Sequence, residues 1–132
     1  MLTGLNHITL TVSDLDISLD FYQKILGFKA HVKWDKGAYL SLPGLWLCLN
    51  KGEPDEKSDY SHLAFSLDKN MFNSMVETLN QHDVKQWQEN LSEGLSYYFL
   101  DPDGHKLELH LGSLETRLQA LCESPYEGLV WL

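Results

Sequence analysis

The chain has 132 residues, 43% of them hydrophobic, enough for one domain with a closed core. Its formal net charge of -9 opposes binding to nucleic acid or to an anionic membrane, because the basic residues are scattered and form no offsetting patch. No segment approaches the roughly 20 apolar residues of a membrane span, and the distant cysteines Cys48 and Cys122 do not read as a disulfide framework, so a reducing cytoplasm is the expected compartment.

In chain order, alternation predicts a strand over residues 5–12 and helical spacing of Leu15, Leu19, Tyr22 and Leu26 predicts a helix over 14–26. Ser13 with Asp16 three residues on is the expected N-cap, and Gly27 is placed to stop the helix. Strands follow near 28–34, 37–42 and 44–50, then a charged linker over 51–60. The pattern recurs: a strand over 61–67, a helix over 69–81 capped by Asp68, and strands near 84–88, 96–101 and 105–111, the last two joined by the turn Asp101-Pro102-Asp103-Gly104. The tail from Ser113 carries a short helix with Leu114, Leu118 and Leu121, and ends in the apolar run Leu129-Val130-Trp131-Leu132.

The expected architecture is α+β, a single domain over 1–132 made of paired β-α-β-β-β modules, the first at about 1–50, the second at about 60–112, with a tail over 113–132. Neither module closes a core easily alone, so their sheets are expected to pair. The apolar tail predicts docking to a second copy as a homodimer.

The duplication carries the chemistry. His7 and His62 occupy matching places at the starts of the first strands of the two modules. A lone strand histidine is usually only a half-exposed side chain, but equivalent placement in two repeats points to a shared site. On the last strand, Glu108 alternates with Lys106 and His110, so spacing leaves open which of Glu108 and His110 joins the histidines. Two imidazoles and a carboxylate suit a divalent ion acting as a Lewis acid, and the lack of nearby thiolates disfavours a closed structural zinc site.

A second set lies in Asn90-Leu91-Ser92-Glu93-Gly94-Leu95-Ser96-Tyr97-Tyr98. Alone it reads as a polar loop between strands. Beside a metal site, its amide, hydroxyls and glycine can turn carbonyls around a hard monovalent cation, with Glu93 balancing charge. Ser92, Ser96, Tyr98 and Arg117, the only arginine, can then converge on an anion. Trp34, Tyr39, Trp46 and Tyr60 lie on or beside strands, where most aromatics are core; Trp34 and Tyr39 are also placed to edge a pocket.

Taken together, the segments around His7, Val12-Ser13-Asp14-Leu15, Phe21-Tyr22, Gly37-Ala38-Tyr39-Leu40, Leu45-Trp46-Leu47-Cys48-Leu49, Ser58-Asp59-Tyr60, Ser92-Glu93-Gly94 and Tyr97 through His110 resemble the fosfomycin-resistance glutathione transferases of the vicinal oxygen chelate superfamily. The resemblance runs through Arg117-Leu118 to Pro125-Tyr126, essentially the whole chain. It implies the vicinal oxygen chelate fold as a domain-swapped dimer, with Mn(2+) held by His7 of one subunit and His62 and Glu108 of the other. It implies phosphonate contacts at Thr9, Ser92, Ser96, Tyr98 and Arg117, and a K(+) loop of Asn90, Ser92, Gly94 and Ser96. Tyr39, Trp46 and Cys48 correspond to residues around the substrate and thiol pocket, with Thr9, Tyr39 and Arg117 closest to the chemistry. Trp34, Lys36, Asn50 and Tyr60 are expected along the glutathione channel.

The implied reaction adds glutathione to the less substituted epoxide carbon of fosfomycin. The chain departs from the family pattern at Gln88, where a lysine usually reaches the phosphonate, at Leu91, where an arginine commonly helps hold glutathione, and at Lys36 and Asn50. The alternatives are a related epoxide-opening enzyme that uses water or another low-molecular-weight thiol, and a metal-free drug-sequestering relative; a water user needs a carboxylate base that Leu42-Pro43-Gly44-Leu45 does not offer, and the metal-free relative has no need of both histidines and Glu108.

Overall fold

The computed structural model describes residues 1–91 and 93–132; Ser92 lies outside the described residues. Module one comprises β1 (Ile8–Val12), α1 (Leu15–Leu19), a π-helical segment (Asp20–Ile25), β2 (Lys29–Trp34), β3 (Gly37–Leu42) and β4 (Leu45–Lys51). Module two comprises β5 (Leu63–Ser66), a short 3-10 turn (Lys69–Met71), α2 (Phe72–Gln81), β6 (Gln86–Gln88), β7 (Ser96–Leu100) and β8 (Lys106–His110); α3 (Leu114–Glu123) follows. The two sheets have the same order, β1-β4-β3-β2 and β5-β8-β7-β6, and each begins with a parallel pair, β1 with β4 and β5 with β8. The expected duplication is therefore present, although among the described residues of one chain the strands form two separate sheets. Each leaves its first strand as an edge.

Equivalence extends to residues. Thr9 pairs with Cys48 across β1 and β4, while Ala64 pairs with Glu108 across β5 and β8, and His7 and His62 stand two residues before Thr9 and Ala64. Cys48 is thus the counterpart of Glu108. Both outer hairpins slip register at one residue, His31 in β2 and Trp87 in β6, the mark of a β-bulge.

Local chemistry explains the helix ends. The α1 cap is Asp14, whose side chain accepts from the Ile17 N–H at 3.0 Å, rather than Ser13, which donates both its hydroxyl and its backbone N–H to the Asp103 carboxylate. After one α-helical turn the chain widens, with Leu26 N–H donating to the Phe21 carbonyl at 3.1 Å. Gly27, at φ +82°, then turns the chain out, as its position predicts. Asp68 precedes the 3-10 turn but makes no side-chain cap bond. Ser113 caps α3 in a capping box with Thr116.

The core joins both modules: Val12, Tyr22, Leu40, Leu47 and Leu49 of the first pack in one cluster with Leu79, Phe99 and Leu107 of the second. Phe28 meets Phe65 edge to face at 5.7 Å. The turn at residues 101–104 adds polar ties between modules. The buried Tyr22 hydroxyl donates to Asp101 Oδ2 at 2.7 Å, and His105 Nε2 donates to the Thr11 carbonyl at 2.7 Å. On α3, Leu121 is buried while Leu114 and Leu118 face out, as do Val130, Trp131 and Leu132 of the tail.

Candidate metal centre

Strand β5 delivers His62 beside β8, which carries Glu108. His62 Nδ1 lies 2.7 Å from the Tyr60 carbonyl oxygen, and a carbonyl can only accept, so Nδ1 holds the proton. In the neutral ring the lone pair is then on Nε2, which faces Glu108 Oε1 at 2.9 Å. Two electron-rich atoms this close need positive charge between them, from a proton on Nε2 or from a cation. A divalent ion therefore fits this donor pair on chemical grounds. The pair is sheltered, since Glu108 is 6% exposed.

The other carboxylate oxygen is also held. Ser96 Oγ donates to Glu108 Oε2 at 2.7 Å and lies 2.7 Å from His110 Nδ1. Around His62 stand Tyr60, Trp87 and Tyr98, with ring centres 4.9, 5.4 and 6.0 Å away. Trp87 is fixed by donating from Nε1 to the Leu107 carbonyl at 3.0 Å, and the Lys106 ammonium sits 5.3 Å from its ring centre. Sequence reasoning missed Trp87, because a three-residue bulged strand shows no period-2 signal.

His7 immediately precedes β1 of the other sheet. Its Nδ1 donates to Asn6 Oδ1 at 2.7 Å, which leaves its Nε2 as the lone-pair atom, the same tautomer as His62. It begins a chain of rings: His7 to Trp46 at 4.6 Å, Trp46 to Tyr39 at 5.3 Å, Tyr39 to Trp34 at 4.8 Å. Trp34, Tyr39 and Trp46 are 44, 37 and 39% exposed, so they are not the core residues that strand aromatics usually are. Trp34 lies across Gly37, where a Cβ would come 2.5 Å from its ring. Gly37 also pairs with Asn50 and follows Lys36, which gathers Trp34, Lys36 and Asn50 at one end of this sheet. Thr9 is exposed on β1 beside the buried Cys48. Among the described residues, no three His, Cys, Asp or Glu side chains of one chain group closely enough to hold a metal. One chain thus assembles His62 with Glu108 but does not bring His7 to them.

The loop before β7 is internally bonded. Asn90 Nδ2 donates to the Gly94 carbonyl at 2.7 Å, with Gly94 at φ +79°. Ser96 and Tyr98 are buried on β7, and Ser92 of this set lies outside the described residues. Glu93 accepts from Arg117 Nε at 3.2 Å, so the carboxylate expected to balance a cation is paired with the guanidinium. Burial works against the Arg117 charge, but Glu93 and Tyr126 outweigh it and hold the group above its ordinary value. Gln88 Nε2 donates to the Tyr60 hydroxyl at 2.7 Å, beside His62. A separate cleft of about 750 Å³ opens between the π-helical segment and the turn at residues 101–104, away from these residues. No helix among the described residues is long and apolar enough to cross a membrane.

Residues 4–109 match the family described as the glyoxalase/bleomycin resistance protein/dioxygenase superfamily. The chain is 49% identical over 136 aligned residues to glutathione transferase FosA of Serratia marcescens, covering 99% of this chain and 96% of that protein. It is 39% identical over 125 residues to metallothiol transferase FosB of Staphylococcus saprophyticus, covering 89% and 83%. Among solved structures, the fosfomycin resistance protein FosX of Listeria monocytogenes superposes with a TM-score of 0.82 at 35% identity, covering 91% of this chain and 99% of that one. A FosX variant complexed with Mn(II) and 1S,2S-dihydroxypropylphosphonic acid superposes at 0.81 with 32% identity, covering 90% and 99%.

Proposed function

The chain belongs to the glyoxalase/bleomycin resistance protein/dioxygenase superfamily, and on that premise we propose that it inactivates fosfomycin by adding the thiol of glutathione to the drug's epoxide. The observation that carries this reading is the sheltered His62–Glu108 pair, a tautomer-fixed imidazole nitrogen and a carboxylate oxygen 2.9 Å apart, in a chain 49% identical to a glutathione transferase along almost its full length. Mn(II) is the proposed ion, supported by its presence in the FosX complex. Bound there, a divalent cation supplies positive charge to the oxyanion that forms as the epoxide carbon–oxygen bond breaks.

The third donor is proposed to be His7 of a second copy in a domain-swapped homodimer. Two features support this: β1 and β5 are edge strands of their sheets, and apolar side chains of α3 and the tail face out. Thr9, Tyr98 and Arg117 are assigned to the phosphonate, with Gln88 in the place of the usual lysine; Trp46 and Cys48 line the substrate side, with Tyr39 near the reacting atoms. Trp34, Lys36, Asn50 and Tyr60 are assigned to glutathione. Asn90, Gly94 and Ser96, together with Ser92, are assigned to K(+), for which the Gly94 carbonyl keeps a second lone pair beside its bond to Asn90. In the chemical step the thiolate sulfur bonds the less substituted carbon, that carbon's bond to oxygen breaks, and the oxygen takes a proton. Holding both reactants in one cavity supplies proximity. A reducing cytoplasm, where glutathione is available, is the proposed compartment.

The test is to incubate the protein with fosfomycin and Mn(II), adding glutathione, cysteine, bacillithiol or no thiol, and to weigh the product. A glutathione adduct supports the reading. A diol formed without thiol, or unchanged drug in every arm, overturns it.

A further inference from the structure

His110 is the residue that alternation could not separate from Glu108 as a ligand, and the structure gives it a different task. Ser96 has a single hydroxyl proton. Glu108 Oε2, at 2.7 Å, can only accept, so that proton lies on the bond to Glu108. Ser96 must then accept from His110 Nδ1, also at 2.7 Å, and Nδ1 lies 3.3 Å from Oε2 itself. The three groups form a directed chain, His110 to Ser96 to Glu108, with side chains 16% exposed at His110 and 8% at Glu108.

The imidazole is seated by glycine. A Cβ at Gly112 would stand 2.3 Å from His110 Nε2 and 3.1 Å from its Cε1, and one at Gly94 would stand 3.4 Å from Cε1. A side chain at 112 would displace the ring from its present place.

We infer that His110 is the positioning residue of the metal centre: through Ser96 it holds Glu108 Oε2, so that Oε1 alone is presented to the point faced by His62 Nε2. The inference rests on the reading of His62 and Glu108 as metal donors. It has a corollary for Ser96. With its proton given to Glu108, that hydroxyl acts on the carboxylate and is not a donor to the phosphonate.

The test is direct Mn(II) binding to the purified full-length protein, followed by the electron paramagnetic resonance signal of free and bound ion, with thermal melting of every variant in parallel. His110→Ala is expected to weaken Mn(II) by about 10- to 100-fold, the range for removing an outer partner of a metal ligand, and to alter the bound-ion spectrum. His110→Asn places an amide nitrogen near the Nδ1 position and is expected to restore most of the affinity, a rescue that a loss of packing would not show. Gly112→Ala is expected to weaken binding in the wild-type background and to have little effect in His110→Asn, where no ring occupies the seat. If His110→Ala fails to fold, the His110→Asn and Gly112→Ala pair carries the test. Wild-type affinity in a folded His110→Ala protein, or in Gly112→Ala, overturns the inference alone. A wild-type protein that binds no Mn(II) overturns the metal-centre reading with it.

Discussion

His62 Nε2 and Glu108 Oε1 face each other at 2.9 Å while the far side of each group is already bonded, Nδ1 to the Tyr60 carbonyl and Oε2 to the Ser96 hydroxyl. On the proposed reading of this pair as metal donors, each is therefore oriented before any ion arrives, which lowers the ordering needed on binding.

Removing either donor leaves the other without a partner in a sheltered place. His62→Ala and Glu108→Ala are each expected to weaken Mn(II) by more than about 100-fold, beyond the effect of outer partners, and to abolish turnover. Titration of the metal against the purified variants checks this; wild-type affinity in either one removes the assignment.

Gln88 bonds the Tyr60 hydroxyl, close to His62, with a neutral amide. A lysine there adds a charge-assisted hydrogen bond to a phosphonate, worth roughly 1.5–3 kcal/mol when well formed, or about tenfold or more in rate. Gln88→Lys is expected to raise kcat/KM for fosfomycin, chiefly through a lower KM. Steady-state kinetics at saturating Mn(II) measure it, and an unchanged or lower kcat/KM means that other cations such as Lys36, Lys85 or Lys106 already supply the charge.

Asp101 ties the modules through Tyr22, and burial raises its carboxyl above the ordinary value despite the hydrogen bonds from Tyr22, Asp103 and His105 that oppose the shift. Burial beside Asp101 also holds the Tyr22 phenol well above its usual range, so it stays neutral and donates. A raised folded-state pKa means that the folded chain binds the Asp101 proton more tightly than the unfolded chain. Its stabilising contribution is complete below the unfolded value near 4 and is lost as pH rises through the folded value. Asp101→Asn removes that titration, so acidification from pH 7 toward 4 should favour wild type relative to Asp101→Asn in denaturant midpoints. A constant difference across that window counts against the buried-charge argument. Tyr22→Phe, which strips the donor from Oδ2, should destabilise by about 1–3 kcal/mol at neutral pH.

Much of this fold is legible in the sequence because local signals and duplication agree. The alternating runs, Gly27 and the turn at 101–104 each mark an element end, and the repeat aligns His7 with His62. What was hidden depends on long-range partners. Ser13 and Asp14 are both good caps by composition; only the bond from Ser13 to Asp103, 90 residues away, assigns the role to Asp14. Glu108 and His110 share a strand face, and the Ser96 hydroxyl between them, on which their proposed roles as donor and support rest, is not visible in the sequence. By residue type Trp46 reads as core and Tyr39 as core or pocket edge; both extend a ring chain from His7 along an exposed face, a property of sheet assembly that periodicity does not encode.

The proposed site is divided between two copies, since among the described residues one chain joins His62 to Glu108 but not to His7. The most direct measurement is complementation: His7→Ala and Glu108→Ala proteins, each inactive alone, are mixed, unfolded, refolded and assayed for the glutathione–fosfomycin adduct with Mn(II). Heterodimers of this kind hold one site with both lesions and one with none, so about half of wild-type activity per heterodimer is expected from mixing two site types. Heterodimers shown to be present yet devoid of activity would contradict the division of the site between subunits.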